Sequence, residues 1–196
     1  MNALLNALSA EQEQIQSWRH DLHRKPETAF EEQNTAAYIA KLLRSWGYEV
    51  AEGVGKTGVV ARLKAGDGKK SIGLRADMDA LPVPEMAESD YKSMVPCKSH
   101  ACGHDGHSAM LLGAAQHLAK TRNFNGTVNL IFQPAEEIMG GAPAMINDGL
   151  FERFPMDAVF GMHNMPTLEL GKLYFTPGPV MAAVDNWEIV LTGVGS

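Results

Sequence analysis

The sequence holds two cysteines in 196 residues, too few for the dense disulfide framework that stabilises small secreted domains. Long apolar runs are also missing. None approaches the ~20 residues that a membrane span requires, so no spanning helix is expected. The first residues, MNALLNALSAEQEQ, contain neither a basic n-region nor a long apolar stretch. No secretory signal is expected there, and a cytoplasmic protein is. Positive charge is in deficit: 17 Lys and Arg face 23 Asp and Glu, for a formal net charge of −6. That argues against a nucleic-acid or anionic-membrane surface, which needs clustered basic side chains. Repeats and low-complexity tracts are absent. So is a G-x-S-x-G elbow, which leaves an α/β-hydrolase serine unsupported.

A hydrophobic content of 45% with 20% charged residues is globular. The length suits one domain of ordinary size, with the start of a second. Helical and extended patterns alternate, which predicts α/β layering. Ser9-Ala10-Glu11-Gln12 has capping-box form and predicts a helix to about His23, ended by Pro26. Thr28 to Glu31 forms a second such box. The amphipathic helix after it carries Ile39, Leu42, Leu43 and Trp46 on one stripe, with Gly47 as its stop. Strands are predicted at Tyr48–Ala51, Gly58–Lys64, Ser71–Ala76 and Thr127–Gln133, and later at Asp157–Met162, Leu173–Thr176 and Asp185–Thr192. Helices are predicted over His107–Thr121 and Ala142–Asn147. Between Asp77 and Asp105 the chain has no clear period, and an unstructured stretch of that length is usually functional or disordered.

Gly53 to Gly58 matches GxGxxG, but a β-branched strand pattern follows where a dinucleotide fingerprint needs a helix. It reads as a turn between strands. Asn125-Gly126-Thr127 fits a glycosylation sequon and reads as a turn as well.

Seven histidines are a good supply, and four of them lie between His100 and His117. The segment His100-Ala101-Cys102-Gly103-His104-Asp105-Gly106-His107 packs three imidazoles, a thiol and a carboxylate into eight residues. Its glycines let the backbone bend tightly, and the donor types are those a transition metal selects. Gln133-Pro134-Ala135-Glu136-Glu137 follows a strand directly. Adjacent carboxylates there repel unless a cation or a shared proton offsets them. One can bind metal while its neighbour holds a proton. Gly161-Met162-His163-Asn164 ends another strand. Leu74-Arg75-Ala76-Asp77-Met78-Asp79-Ala80-Leu81-Pro82 places Asp77 and Asp79 just past a third, where they can ligate or orient a ligating imidazole. Carboxyl ends of strands in an open α/β sheet line the ligand crevice, so these separate signals fall at one sheet edge. Taken singly, each has a plain alternative: solvated histidines, a solvated Glu-Glu, a structural histidine, turn-forming aspartates.

Together the four segments LRADMDALP, HACGHDGHSAMLLGAA, FQPAEE and GMHN resemble the metal-dependent amidohydrolases that include hippurate hydrolase, N-acyl-amino-acid aminoacylases and plant hydrolases of auxin–amino acid conjugates. These belong to the wider superfamily of aminoacylase and carboxypeptidase G type dimetal peptidases. The likeness runs from about Trp18 to the end of the chain. It implies an α/β fold: a three-layer, phosphorylase/hydrolase-like catalytic domain whose central mixed sheet is flanked by helices. Residues 1–183 would be the N-terminal part of that dimetal domain. Residues 184–196 would open an inserted lid, the remainder of which lies outside this chain and through which homodimers form. The resemblance implies two divalent ions, zinc or manganese, with cobalt or nickel as alternatives. Cys102, His104, Glu137 and His163 would be ligands, with one further His beyond the chain. Glu136 matches the general base, and Asp77, Asp79, Asp105 and His107 are candidates for orienting the ligands. More distant peptidases carry His at the position of Asp77, so Cys102 and His163 point to the hippurate hydrolase branch. The expected activity is hydrolysis of the amide bond of a small-molecule N-acyl amino acid by the intact protein, with little or none from this stretch alone. Rival readings are a dipeptidase or peptidase with the same metals, a non-catalytic relative that keeps metal for stability, and a nucleophilic Cys102.

Overall fold

Period-two alternation in the central strands sends successive side chains to opposite faces, and both faces are buried. In a computed structural model that describes residues 3–185 and 187–194, Val59, Ala61 and Leu63 of one strand join Val128, Leu130 and Phe132 of its neighbour in one core cluster. Val60 and Ile131, the residues between them, belong to a second cluster on the far side. Each face is covered by helices, which gives three layers.

In chain order the elements are α1 (Ala3–Ser9), α2 (Gln12–Arg24), α3 (Gln33–Ser45), β1 (Glu49–Val54), β2 (Gly58–Ala65), β3 (Ser71–Asp77), α4 (His104–Thr121), β4 (Gly126–Gln133), α5 (Gly141–Asn147), α6 (Leu150–Arg153) and β5 (Ala158–Gly161). The sheet runs β1-β2-β4-β3-β5. β1 and β4 flank β2 antiparallel, whereas β3 lies parallel to both β4 and β5. The mixed three-layer architecture is the expected one. Trp18 of α2, Ile39 and Leu43 of α3 and Leu112 of α4 pack on one face. Met145 of α5 and Leu150 of α6 pack on the other. Burial of such large apolar side chains contributes about 1.5–3 kcal/mol each before entropy is counted.

The turn reading of Gly53–Gly58 holds: Gly53, near the end of β1, and Gly55 and Lys56, between β1 and β2, all have positive φ. Gly47, with φ +84, follows α3 as expected. Several expectations change. The N-terminal helix is two helices, because Ser9 closes α1 instead of capping α2, whose N-cap is Glu11. Thr28 does not cap α3. Its hydroxyl donates to Glu31 Oε2 at 2.5 Å. The free amides of Asn34 and Thr35 are taken instead by the carboxylate of Glu27, at 3.2 and 2.8 Å. α4 starts three residues early, at His104, because Gly103 adopts φ +93 and turns the chain into the helix there.

By internal contacts the chain divides into residues 1–164 and 165–196. Every helix and strand above lies in the first unit. In the second, no strand forms at Leu173–Thr176 or among the described residues of Asp185–Thr192, residue 186 being outside them. Alternation supplies a face, but a strand exists only when a neighbour takes its N–H and C=O groups, and among the described residues neither stretch has a ladder partner. Among the described residues no helix is long and apolar enough to cross a membrane.

Candidate metal centre

The parallel strands β3, β4 and β5 all end at one edge of the sheet, and three chain segments leave it there. β3 ends in Asp77 and continues through Met78 to Asp79. β4 passes through Gln133 into the loop bearing Glu136 and Glu137. β5 is followed by His163 and Asn164. The long connection after β3 returns at the same edge through Cys102 and Gly103 into α4. Gly103 has φ +93, a conformation that strains any residue with a Cβ, and a Cβ there would also crowd Asn164 Nδ2 at 2.6 Å.

The three imidazoles at this edge are oriented alike. His104 Nδ1 donates to the carbonyl of Asp79 at 2.9 Å and faces its Oδ1 at 3.2 Å. His107 Nδ1 donates to Asp77 Oδ1 at 2.6 Å. His163 Nδ1 donates to the carbonyl of Asn164 at 2.6 Å. Carbonyl and carboxylate oxygens accept, so these contacts favour the Nδ1–H tautomer, with Nε2 as the lone-pair nitrogen. In His107 that nitrogen is already engaged by Asn164, and in His104 and His163 it faces the other candidate ligands. This is the arrangement by which a second ring of partners orients metal-binding histidines.

His104 Nε2 is the common point. It lies 3.7 Å from Asp77 Oδ2, 3.8 Å from Glu136 Oε2 and 3.7 Å from Glu137 Oε1. Cys102 Sγ lies 3.5 Å from His163 Nε2. Ligand atoms of Cys102, His104 and His163 fall within 4.8 Å of one another, as do those of His104, Glu136 and Glu137, and of Asp77, His104 and His107. His107 Nε2 accepts from the backbone N–H of Asn164 at 3.1 Å.

The donor set fits a divalent cation. His104 Nε2 and Glu137 Oε1 are buried polar atoms with no hydrogen-bond partner in the protein, a state that costs free energy unless something fills the space between them. The electrostatics agree. Burial pushes the Cys102 thiol up to about 12, reinforced by the carboxylates of Glu137, Glu136 and Asp77. Burial also raises Glu137, with His104 opposing and Glu136 and Asp79 adding to the rise. Burial works against a charged His104, yet its bond to Asp79 and the charge of Asp77 raise it overall. Asp77 is buried too, but its bond to His107 and the nearby His104 and Arg75 hold it down at about 2. Four carboxyl groups and a thiol converge on these imidazoles. A cation lowers the energy of every one of them.

Asp79 ties two segments of this cluster together. Its Oδ1 faces His104 while its Oδ2 accepts the backbone N–H of Glu137 at 3.0 Å. Arg75 donates to Asp77 Oδ2 at 2.8 Å and to Gln133 Oε1 at 3.0 Å, bracing β3 against β4. Among the expected residues Asp105 points elsewhere. Successive helical residues differ by about 100° in direction, and Asp105 turns toward α2. There its Oδ2 accepts from His23 Nδ1 at 2.8 Å and from Arg19 Nε at 3.0 Å. His23 Nε2 continues to Glu85 Oε1 at 2.9 Å, so this buried chain anchors the long loop beside the site. Sequence reasoning assigned no role to Asn164, Arg75 or the His23–Glu85 pair. Asn164 stands inside the quoted GMHN segment and Arg75 inside LRADMDALP, whereas His23 and Glu85 lie 62 residues apart, too far for any spacing rule to reach.

Residues 73–192 match the profile of peptidase family M20/M25/M40. The chain belongs to this family. It is 53% identical over 184 residues to a hippurate hydrolase of Campylobacter jejuni, covering 94% of this chain and 48% of that protein. It is 42% identical over 200 residues to thermostable carboxypeptidase 2 of Saccharolobus solfataricus, covering 98% and 50%. To an N-acyl-L-amino acid amidohydrolase of Geobacillus stearothermophilus it is 40% identical over 181 residues, covering 91% and 48%. Among solved structures, the YXEP protein of Bacillus subtilis, described as a dinuclear metal-binding peptidase of the M20 family, superimposes with a TM-score of 0.78 at 39% identity, covering 83% of this chain and 45% of that one. The chain thus spans about half the length of the curated M20 relatives it matches.

Proposed function

We propose that the full-length protein is a metal-dependent amidohydrolase that cleaves the amide bond of N-acyl amino acids, with hippurate as the first substrate to test. Cys102, His104, Glu137 and His163 would hold two divalent cations together with a residue beyond this chain. A thiolate in the set favours zinc, and the oxygen donors also suit manganese. Bound there, the cations would supply Lewis acidity toward a carbonyl and toward water.

The single observation that carries the reading is the pairing of unlike carboxylates beside His104. Glu137 is 19% exposed and has a buried, unpartnered oxygen facing Nε2, as a ligand should. Glu136 is 41% exposed, open to solvent and substrate, with Oε2 3.8 Å from the same nitrogen. A carboxylate so placed can take a proton from an attacking water and hand it to the departing amine. An amide needs that second transfer because an amide anion is too basic to leave. Asp77 and Asp79 keep the His107 and His104 rings aimed while this happens. A structural metal site would have no use for a free carboxyl next to a ligand.

The carboxypeptidase named among the relatives favours a second reading, release of a C-terminal residue from a peptide, by the same proton transfers. Residues 184–196 are read as the first part of a lid through which two copies pair, with residues 1–183 as part of the catalytic domain. The test is hydrolysis of hippurate, N-acetyl amino acids and dipeptides by the full-length protein, with and without chelator. Turnover that survives complete metal removal refutes the mechanism, and preference for dipeptides over hippurate selects the peptidase reading.

A further inference from the structure

The carboxylate proposed as base stands on a loop with a strained backbone. Ala135, fully buried, has φ +47, a left-handed conformation that a residue with a Cβ seldom adopts. The peptide groups on both sides of its Cα are held. The carbonyl accepts from Gly140 N at 3.1 Å and Gly141 N at 3.0 Å, which closes the loop on itself. The N–H points into the interior and donates to Glu32 Oε1 at 2.8 Å, across 103 residues of sequence. The other oxygen of Glu32 accepts from the Thr57 hydroxyl at 2.6 Å. Glu32 is the residue before α3 and has no exposed surface. Keeping a carboxyl group in that place is costly, and burial raises its pKa, with the bonds from Thr57 and Ala135 opposing. Its two oxygens hold two donors at once, the Ala135 N–H and the Thr57 hydroxyl.

We infer that Glu32 is a positioning residue for the reaction: its carboxylate pins the Ala135 peptide and thereby sets the direction in which Glu136 leaves the end of β4. The inference rests on the reading of Glu136 as general base. Loss of the anchor lets the loop relax toward ordinary φ, and a shift of about 1 Å at a reacting group can cost on the order of 10²-fold in rate.

The experiment uses full-length protein loaded with zinc and assayed on hippurate. Glu32→Ala should lower kcat by roughly 10²-fold, with KM and zinc content close to wild type. Glu32→Gln should recover most of that loss, since its amide oxygen still accepts from Ala135 while its amide N–H donates to the Thr57 hydroxyl. Hydrogen exchange supplies a readout independent of turnover. The Ala135 amide should exchange much faster in Glu32→Ala than in Glu32→Gln, with the β2 and β4 amides unchanged. If Glu32→Ala fails to fold, Thr57→Val decides, because it removes one anchor of the carboxylate and should lower kcat severalfold in a folded protein. Wild-type kcat in the soluble variant overturns the inference. So does a loss accompanied by general exchange through β2 and β4 and by loss of zinc. Glu136→Gln separates the two readings. If it stays active, the base assignment falls and the inference with it. If it is inactive while Glu32→Ala turns over normally, only the inference falls.

Discussion

Replacing Asp79 by asparagine isolates the part that ligand orientation plays in metal binding. The aspartate uses both oxygens: Oδ1 lies 3.2 Å from His104 Nδ1 and Oδ2 accepts Glu137 N–H at 3.0 Å. Asparagine has one acceptor oxygen, so its NH2 group must confront one of those two N–H donors. The ring of His104 keeps the Asp79 carbonyl at 2.9 Å, so it is loosened but not freed. Substitution of such outer partners costs about 10–100-fold in metal affinity, or about 1.4–2.8 kcal/mol. The assay is competition for zinc between full-length metal-free protein and a chromogenic chelator. A second measurement checks the sign. Without metal, the variant also relieves repulsion among Asp77, Asp79, Glu136 and Glu137, which partly offsets the lost hydrogen bond. The fall in Tm should therefore be larger in the zinc-loaded than in the metal-free protein. Affinity within twofold of wild type, or an equal fall in both forms, would refute the reasoning.

Gly141→Ala places a Cβ 1.5 Å from the carbonyl oxygen of Pro134. Backbone must move to admit it, and denaturant unfolding should show a loss of at least ~1–3 kcal/mol. His23→Gln should reveal a pH-dependent contribution from the buried chain behind α4. The hydrogen bond to Asp105 raises His23 above its usual 6.5, with Glu85 assisting against burial. Its stabilisation is thus complete below pH 6.5 and fades as pH rises through the elevated folded value. Asp105 and Glu85 are depressed despite burial, chiefly by their bonds to His23, and their share is lost only as pH falls through those lowered values. The Tm difference between wild type and variant should peak in mildly acidic solution and shrink above pH 6.5. A constant difference contradicts the assignment. In metal-free protein at neutral pH, iodoacetamide should label exposed Cys97 well before Cys102, whose thiol is pushed up to about 12 by burial and neighbouring carboxylates. Equal labelling rates, read by peptide mass spectrometry, would revive Cys102 as a nucleophile.

Much of the site was legible because its chemistry sits at strand ends, where period-two segments stop and polar residues begin. Asp77, Glu136, Glu137 and His163 each follow such a segment, and one topological rule collects them at a single edge. The cluster at Cys102 and His104 was legible from density of donor types alone. What resisted reading was long-range or geometric. Glu27 caps α3 from seven residues upstream of Asn34, beyond the reach of any capping-box pattern. Glu32 meets Ala135 across the fold, and nothing in a run of two glutamates distinguishes the buried one from its exposed neighbour. Asp105 adjoins His104 in sequence yet faces α2, which only the helical start at His104 decides. Leu173–Thr176 shows that an extended pattern does not create the neighbour it would pair with.

The alignment of β3 between its two parallel neighbours has a consequence for quality control. Asp77 sits opposite Gln133, and Arg75 opposite Gly161, so the spacing among the proposed ligands is inherited from backbone pairing. A slip of one residue in either ladder inverts every side chain of the displaced strand and scatters the donors, while leaving a compact, apolar interior. An ion held jointly by α4, the exit of β4 and the exit of β5 would therefore inspect three alignments at once. Free ion at a hundred times its dissociation constant would favour the correctly threaded sheet by about 2.7 kcal/mol over any chain that cannot load it.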